Sequence, residues 1–107
     1  MLSTKYMETY RKLFVEADKK TAAVFKVLSD MNRFRIFRIL AEQPRFTVSG
    51  IAQILNISLP LASQHIKILA QANLLQKEKN GKKVFTKLEE TNPFVQAIMK
   101  TIQHTHQ

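Results

Sequence analysis

The residues best suited to chemistry in this chain lie between Ser58 and Lys83, and their types suit contact with a nucleic acid. At about 100° per residue, a helix that starts at Leu59 presents short polar groups and one lysine on a single face: Pro60, Ser63, Gln64, Lys67 and Gln71. Serine and glutamine can hydrogen-bond to base edges, and glutamine can bind adenine through two hydrogen bonds, whereas lysine is suited to a phosphate. An ordinary amphipathic helix with a solvated polar face would show the same pattern.

Two helix patterns joined by a tight turn position this polar face. The first runs from Val48 to Leu55, the turn is Asn56-Ile57-Ser58, and the second runs from Leu59 to Ala72. Ser58 is a good N-cap, and Pro60 falls in the first turn, where its missing N–H costs nothing. The opposite side of the second helix would face the core through Ala62, Ile66 and Leu69. This layout predicts a helix-turn-helix over residues 48–72, whose second helix enters the major groove of DNA.

His65 lies on the second helix but away from its outer face, near Leu61 and Leu69. We expect a partly buried histidine that fixes the helix or reaches a phosphate. A histidine that reads a base or binds a metal is the alternative interpretation.

A lysine-rich hairpin, or wing, is predicted after the helix-turn-helix. Asn80-Gly81 is the preferred type I′ turn, which pairs Lys79 with Lys82 and Glu78 with Lys83, and a one-residue shift is the alternative register. The lysines at the tip would lie near DNA phosphates, although lysine-rich edges also serve simply to prevent aggregation. The residues predicted to bind DNA are therefore Ser58, Pro60, Ser63, Gln64, His65, Lys67, Lys79, Lys82 and Lys83.

The overall composition favours a polyanionic partner. A chain of 107 residues is about one domain, and its 45% apolar content with two Gly and three Pro indicates a globular, helix-rich protein. The net charge of +9 favours nucleic acid first and an acidic membrane surface second. Residues 58–88 hold six lysines and one glutamate, so the basic surplus coincides with the second helix and the wing.

Several functional classes are not expected. No apolar run approaches the roughly 18 residues of a membrane span, and the polar N-terminus is unlike a signal peptide, so we expect a cytoplasmic protein without membrane contact. The absence of Cys excludes disulfides and thiolate metal sites. No phosphate-binding loop, nucleophile elbow, HExxH motif or close carboxylate pair is present, so we expect neither catalysis nor a cofactor.

Further elements flank the helix-turn-helix. They are predicted from apolar spacing and caps: a helix over residues 4–17, a short helix over Ala22–Leu28, a helix from the Ser29-Asp30 cap to Gln43-Pro44, a short strand near residues 46–48, and a final helix over 93–104 after Asn92-Pro93. The whole pattern predicts a single, mainly α-helical winged helix-turn-helix domain over residues 1–107. It would have five or six helices and a two-stranded wing within residues 74–88.

From Val24 to Leu88, about two-thirds of its length, the chain resembles the ArsR/SmtB family of bacterial winged-helix repressors. The segment Leu28–Ile36 (LSDMNRFRI) resembles the family pattern L-[AS]-D-x-x-R-x-x-I. The segment Ser58–Leu69 (SLPLASQHIKIL) resembles the recognition-helix pattern S-x-x-x-x-S-x-H-L-x-x-L, with His65 at the histidine position. Ala72–Leu75 and the Asn80-Gly81 wing also fall in register.

The resemblance implies a homodimer that is built from the first and last helices and binds an inverted-repeat operator. The apolar stripes of these helices fit that role, and packing within the monomer fits them almost as well. The residues expected at the dimer interface are Tyr6, Tyr10, Phe14, Phe94, Ile98 and Ile102.

The chain departs from the family pattern where many members bind metal. The Cys-x-Cys motif at the start of the first helix of the helix-turn-helix is replaced within Arg45–Ile51, which has no thiolate. The first turn of the last helix, Thr91-Asn92-Pro93, lacks the Asp and His ligands that other members use. His104 and His106 remain, but residues two apart point to different sides of a helix. We therefore expect a metal-independent repressor, either without an effector or responding to a small molecule or a protein.

Two other functions are consistent with the sequence. Leu59 and Pro60 lie at the start of the recognition helix, where family members often have polar residues, and this suits a protein-interaction or dimerisation module. The basic charge alone would also suit a sequence-independent nucleic-acid binder. A preference for particular DNA sites separates the main hypothesis from both.

Overall fold

The computed structural model describes residues 2–105, which hold six helices and one three-stranded antiparallel sheet. In chain order the elements are α1 (Thr4–Arg11), α2 (Ala17–Leu28), α3 (Met31–Glu42), β1 (Phe46–Thr47), α4 (Val48–Leu55), α5 (Leu59–Gln71), β2 (Leu75–Asn80), β3 (Lys83–Leu88) and α6 (Pro93–Thr105). The predicted winged helix-turn-helix fold is confirmed: α4 and α5 form the helix-turn-helix, and β2 and β3 form the wing. Among the described residues, no helix combines the length and apolar content needed to cross a bilayer.

Side-chain caps begin five of these helices. Ser3, Asp30, Thr47, Ser58 and Asn92 each accept a backbone N–H from the first turn of the helix that follows, at 2.9–3.2 Å. Such caps satisfy donors that the helix itself leaves free. Asn56 ends α4 in the left-handed conformation, with φ of 55°, and so allows the tight turn into α5. The caps predicted at Asp30, Ser58 and Asn92 are confirmed.

The first helix is shorter than predicted, and the prediction of one helix over residues 4–17 is wrong. α1 ends at Arg11, and α2 begins at Ala17, earlier than the predicted start at residue 22. Leu13 and Phe14 donate to the carbonyl oxygens three residues earlier rather than four, and the Asp18 carboxylate accepts the Val15 N–H at 3.0 Å. An aspartate that bonds to a backbone N–H outside the helix competes with continuous helix.

The wing turn lies one residue later than predicted. Its loop is Gly81-Lys82, and Asn80 pairs with Lys83 across it. Of the two loop residues only Gly81 has a positive φ, 63°, which is typical of a type II′ turn. The predicted type I′ turn would have required a positive φ at Asn80 as well.

Every pair in the wing changes as a result. Glu78 lies opposite Phe85 rather than Lys83, and Lys79 lies opposite Val84 rather than another lysine. The predicted cross-strand ion pair of Glu78 is therefore wrong. Because each partner moves by two residues, the side chains stay on the expected faces of the strands.

The third strand, β1, joins the wing to the helix-turn-helix. Phe46 pairs with Thr86 and Thr47 with Phe85, so β3 lies in the middle of the sheet. The buried Thr86 hydroxyl donates to the Phe46 carbonyl oxygen at 2.9 Å. Since α4 starts directly after β1, this pairing fixes the wing relative to α4.

The hydrophobic core lies between α3, α4, α5 and the sheet, and Val95 and Ile102 of α6 also contribute to it. Each large apolar side chain that is fully buried stabilises the fold by about 1.5–3 kcal/mol. The largest fully buried apolar residues are Ile36, Phe37, Ile51, Ile66, Leu69, Leu74 and Val95. α1 buries none of its residues.

A polar cluster joins α5 to the start of α3. Arg33 donates from Nε to the Val27 carbonyl oxygen at 2.7 Å, and its Nη1 lies 3.3 Å from Nδ1 of His65. The carboxylate of Asp30 lies 3.8 Å from the same histidine nitrogen. Because a guanidinium has no acceptor, Nδ1 of His65 accepts this hydrogen bond in the tautomer that carries its proton on Nε2. The cluster therefore fixes α5 against α3.

The charge of Asp30 is stabilised within this cluster. The hydrogen bond from the Arg33 backbone N–H lowers the pKa of Asp30 below its ordinary value of 3.8, and the positive charge of the Arg33 side chain acts in the same direction. A carboxyl whose pKa is lower in the folded state stabilises the fold above its ordinary pKa. That contribution disappears as the pH falls through the folded-state value.

Gly50→Ala tests how closely α4 packs on β1. A Cβ at this position would overlap with the ring atom Cε1 of Phe46, a partly buried side chain packed against the core. We expect a net loss of about 1–2 kcal/mol in the free energy of unfolding, because the overlap outweighs the gain in helix propensity. Urea unfolding followed by circular dichroism measures it, with the exposed Gln53→Ala in the same helix as the control. A Gly50→Ala variant more stable than the parent would contradict this packing.

Asp30→Asn tests the polar cluster, because asparagine keeps the cap but removes the charge. We expect the variant to be less stable than the parent at pH 7, and we expect the difference to shrink as the pH falls below the ordinary pKa of 3.8 toward the lower folded-state pKa of Asp30. Asp30→Ala should lose the cap as well, at a cost of about 1 kcal/mol. The measurement is urea unfolding at several pH values. A difference between parent and Asp30→Asn that stays constant from pH 7 to 3 would disprove the charge effect.

Candidate nucleic-acid interface

One face of α5 is free of the core along its whole length. Its exposed residues are Pro60, Ser63, Gln64, Lys67 and Gln71, the set expected from the helical wheel. The core-facing side is formed by Ala62, Ile66 and Leu69, all fully buried. The Ser58 hydroxyl oxygen accepts the Leu61 N–H at 3.2 Å, and its O–H can still donate to a ligand. The polar surface of α5 is thus available for contact with DNA.

A cavity of about 540 Å³ separates the exposed face of α5 from the wing. Leu59 and Ser63 line it on the α5 side, and the first turn of α4 lines its base. The wing contributes three lysines, Lys77, Lys82 and Lys83. Cationic groups therefore stand beside the polar face of α5, an arrangement that suits a groove edge and its phosphates.

Lys77 is the wing residue that sequence reasoning missed. It lines the cavity, whereas Lys79, which was predicted to bind DNA, is exposed but does not line it. The alternation of side chains along a strand could have identified Lys77, because Lys77 and Lys79 share a face of β2 and Lys77 is two pairs closer to the helices.

The middle of the wing is supported by an arginine outside it. The Arg45 guanidinium carbon lies 3.7 Å from the centroid of the Phe85 ring, and Nη2 lies 3.5 Å from Oε1 of Glu78. The ion pair is exposed and contributes little energy, whereas the cation–π contact is worth about 0.5–1 kcal/mol. Sequence reasoning gave no role to Arg45, since the contact spans about 40 positions.

The base of the wing is closed by a carboxylate. Gln76 of β2 hydrogen-bonds to the Glu89 side chain, and the Thr91 hydroxyl donates to the same carboxylate at 2.7 Å. These hydrogen bonds, that of Gln76 first, lower the pKa of Glu89. The Glu89 N–H also donates to the Leu74 carbonyl oxygen at 3.0 Å, which ties the end of β3 to the turn after α5.

His65 does not lie on the polar face. It is 8% exposed and points toward Asp30 and Arg33. The expected burial of this histidine is confirmed. Its contacts with Arg33 and Asp30 help to orient α5, and contact with a DNA phosphate stays a prediction.

The residues predicted at a dimer interface are distributed unevenly. Tyr6 and Tyr10 are exposed on α1 with ring centroids 5.0 Å apart, and Phe14 is exposed in the segment between α1 and α2. On α6, Phe94 is 36% exposed and Ile98 is partly buried. The sixth residue, Ile102, is 6% exposed and belongs to the core, so placing it at the interface is wrong.

Two histidines, His104 and His106, lie in the last four positions of the sequence. His104 is exposed near the end of α6, whereas His106 lies outside the described residues. Within residues 2–105, no three His, Asp or Glu side chains lie close enough together to hold a metal ion.

Comparison with known proteins agrees with this architecture. Residues 28–78 match a helix-turn-helix domain family. The chain is similar to the cadmium resistance regulatory protein CadC of Listeria innocua, with 34% identity over 57% of this chain and 51% of that protein. It is also similar to the transcriptional repressor SdpR of Bacillus subtilis, with 35% identity over 64% of this chain and 74% of that protein. The match spans about half the length of CadC.

A solved structure with the same fold is the homodimeric winged helix-turn-helix DNA-binding domain of a Mycobacterium bovis protein. The two chains have 22% identity and a TM-score of 0.69 over 81% of this chain and 78% of that one. At this identity the likeness concerns the fold. The relatives above are transcriptional regulators, and their family is one of DNA-binding proteins rather than enzymes. The chain belongs to the ArsR/SmtB family of winged helix-turn-helix transcriptional regulators.

Proposed function

We propose that this chain is a sequence-specific DNA-binding repressor that acts as a homodimer on an inverted-repeat operator and needs no metal. The observation that carries the proposal is the exposed polar face of α5 beside a cavity lined by three wing lysines. Repression by the similar SdpR supports the direction of regulation.

Different residues of this surface would have different roles. Ser63 and Gln64 lie in the N-terminal half of α5, the part of a recognition helix that contacts bases, and both side chains can pair with base edges. Lys67, Lys82 and Lys83 would bind phosphates, which positions the protein without reading sequence.

An exposed apolar surface supports dimerisation. α1 buries none of its residues, and the molecule is elongated, with extents of 61 × 29 × 25 Å. Tyr6, Tyr10, Leu13, Phe14 and Val15 are all exposed in one short stretch of chain. Such a stretch is costly in water, and a second copy would cover it. The homodimeric domain from Mycobacterium bovis, which has the same fold, supports this arrangement.

The residues at the family's thiolate positions support metal independence. The Thr47 hydroxyl oxygen accepts the Gly50 N–H at 3.0 Å, and Val48 is buried in the core. These side chains cap and pack α4, and no cysteine occurs in the chain. The effector, if the repressor has one, would then be a small molecule or a protein.

Gln64→Ala separates base reading from phosphate binding. We expect it to weaken binding to a selected operator by about 1–3 kcal/mol per half-site and to leave binding to random DNA unchanged. The double variant Lys82→Ala/Lys83→Ala should weaken binding to operator and to random DNA alike. It should also reduce the slope of log K against log salt by about 0.9 for each phosphate that the variant no longer neutralises. Fluorescence anisotropy with both duplexes at several salt concentrations measures these effects.

Gln71→Ala is the matched control, because Gln71 lies on the same face about two turns further along α5. Equal losses from Gln64→Ala on operator and random DNA would rule out base reading by Gln64. Selection from random duplexes that returned no preferred site would exclude sequence-specific function and favour a protein-interaction module. The same titrations in EDTA and in zinc test metal independence, and a tenfold change with zinc would contradict it.

Tyr10→Glu and Phe14→Glu test the dimer. A carboxylate buried in an apolar interface without a partner is strongly unfavourable, so we expect both variants to sediment as monomers of 12.4 kDa, whereas the parent sediments at twice that mass. Thr9→Glu adds the same charge to α1 at an exposed polar position and should remain dimeric. A parent protein that sediments as a monomer at micromolar concentration would contradict the proposal.

A further inference from the structure

Leu59 is an exposed apolar residue at the start of α5. It is 51% exposed, and it lines the cavity that Lys77, Lys82 and Lys83 form with the helices. On its other side it lines a smaller cavity of about 380 Å³ together with Gln53 and Asn56. Its side chain therefore projects into the space between recognition helix and wing, although it can form no hydrogen bond there.

The chemistry of the major groove offers one apolar group to such a side chain. Of the four bases, only thymine presents a methyl group there, and the other recognition groups are hydrogen-bond donors and acceptors. The first residues of a recognition helix are those that meet base edges. Leu59 is the first residue of α5, and Ser63, one turn later, lines the same cavity.

The surroundings of Leu59 favour DNA over an apolar protein partner. A docking protein would require a continuous apolar patch, whereas the larger cavity beside Leu59 combines the apolar Val48, Ile66 and Val84 with three lysines and three serine or threonine side chains. These cations suit a polyanion. Leu61, the next exposed leucine of α5 at 37%, lines neither cavity and lies on another side of the helix.

We infer that Leu59 is a specificity-determining residue that contacts the C5-methyl group of a thymine in each operator half-site. This inference rests on the proposed sequence-specific function and adds one base preference to it. Transferring a methyl-sized apolar surface out of water favours thymine over the same base without its methyl group by about fourfold per half-site.

Deoxyuridine provides the test, because it keeps the hydrogen-bonding edge of thymine and lacks only the methyl group. An operator is first selected from random duplexes, and its thymines are then replaced by deoxyuridine one position at a time, symmetrically in both half-sites. We expect one position at which the replacement weakens binding by roughly fifteenfold. Leu59→Ala should bind the thymine operator correspondingly less well and should no longer distinguish thymine from deoxyuridine at that position. Leu61→Ala should still distinguish them.

The outcomes separate the inference from the function on which it rests. If selection returns an operator but no deoxyuridine replacement weakens binding, the role of Leu59 is disproved and the sequence-specific function stands. If Leu59→Ala keeps the full preference for thymine, another residue reads the methyl group and the inference is again wrong. If selection returns no operator, the proposed function fails and the role of Leu59 fails with it. Circular dichroism checks that both leucine variants are folded.

Discussion

The rotation of α5 about its own axis decides which side chains can reach a ligand, and two kinds of contact fix that rotation. The apolar residues Ala62, Ile66 and Leu69 are fully buried against the core, and exposing either of the two larger side chains would cost about 1.5–3 kcal/mol. The contact between His65 and Arg33 adds a directional restraint from α3. The polar face and the cavity beside the wing follow from this one orientation.

The wing depends on the same orientation through a chain of short connections. The Leu74 N–H after α5 donates to the Leu69 carbonyl oxygen, and β2 starts at the next residue. β3 returns along β2 and pairs with β1, which leads directly into α4. The wing is thus connected to α5 through β2 and to α4 through β1, so its position depends on both helices. A change in the tilt of α5 would move the wing lysines as well as the helix face.

Most of the helices could be predicted from neighbouring residues. The errors concern features that depend on contacts between residues far apart in the sequence or on single hydrogen bonds. A cap such as Asp30 or Ser58 followed by apolar spacing of about 3.6 residues depends only on neighbouring positions. The wing register depends on which buried residues meet across the sheet, and the observed register pairs the buried Leu75 with the buried Leu88. The preference of Asn-Gly for a type I′ turn is weaker than that pairing. The break after α1 was missed because the apolar spacing continues through it, whereas the hydrogen bonds that turn the chain there are visible only in the structure.

The parts of the candidate site that lie on a single helix were predictable, whereas contacts between distant elements were not. The polar face of α5 followed from helix geometry, and so did the inward position of His65. The partners of His65 could not be found, since Arg33 is 32 positions away and its role depends on how α3 packs. Ile102 was misplaced for a related reason. An apolar stripe on a terminal helix has the same appearance in sequence whether it faces the core or a second subunit.

The cap that Thr47 provides to α4 limits how a metal-binding cysteine could be introduced at this position. A cysteine at this position would lose the hydroxyl that holds the Gly50 N–H, at a cost of about 1 kcal/mol. A metal sensor engineered at the start of α4 would therefore have a less stable helix-turn-helix in its metal-free form. Metal binding would have to restore the lost free energy of unfolding. Thr47 lies within the stretch that corresponds to the family's Cys-x-Cys motif, and its side chain also caps α4, so a thiolate introduced there would weaken the helix-turn-helix.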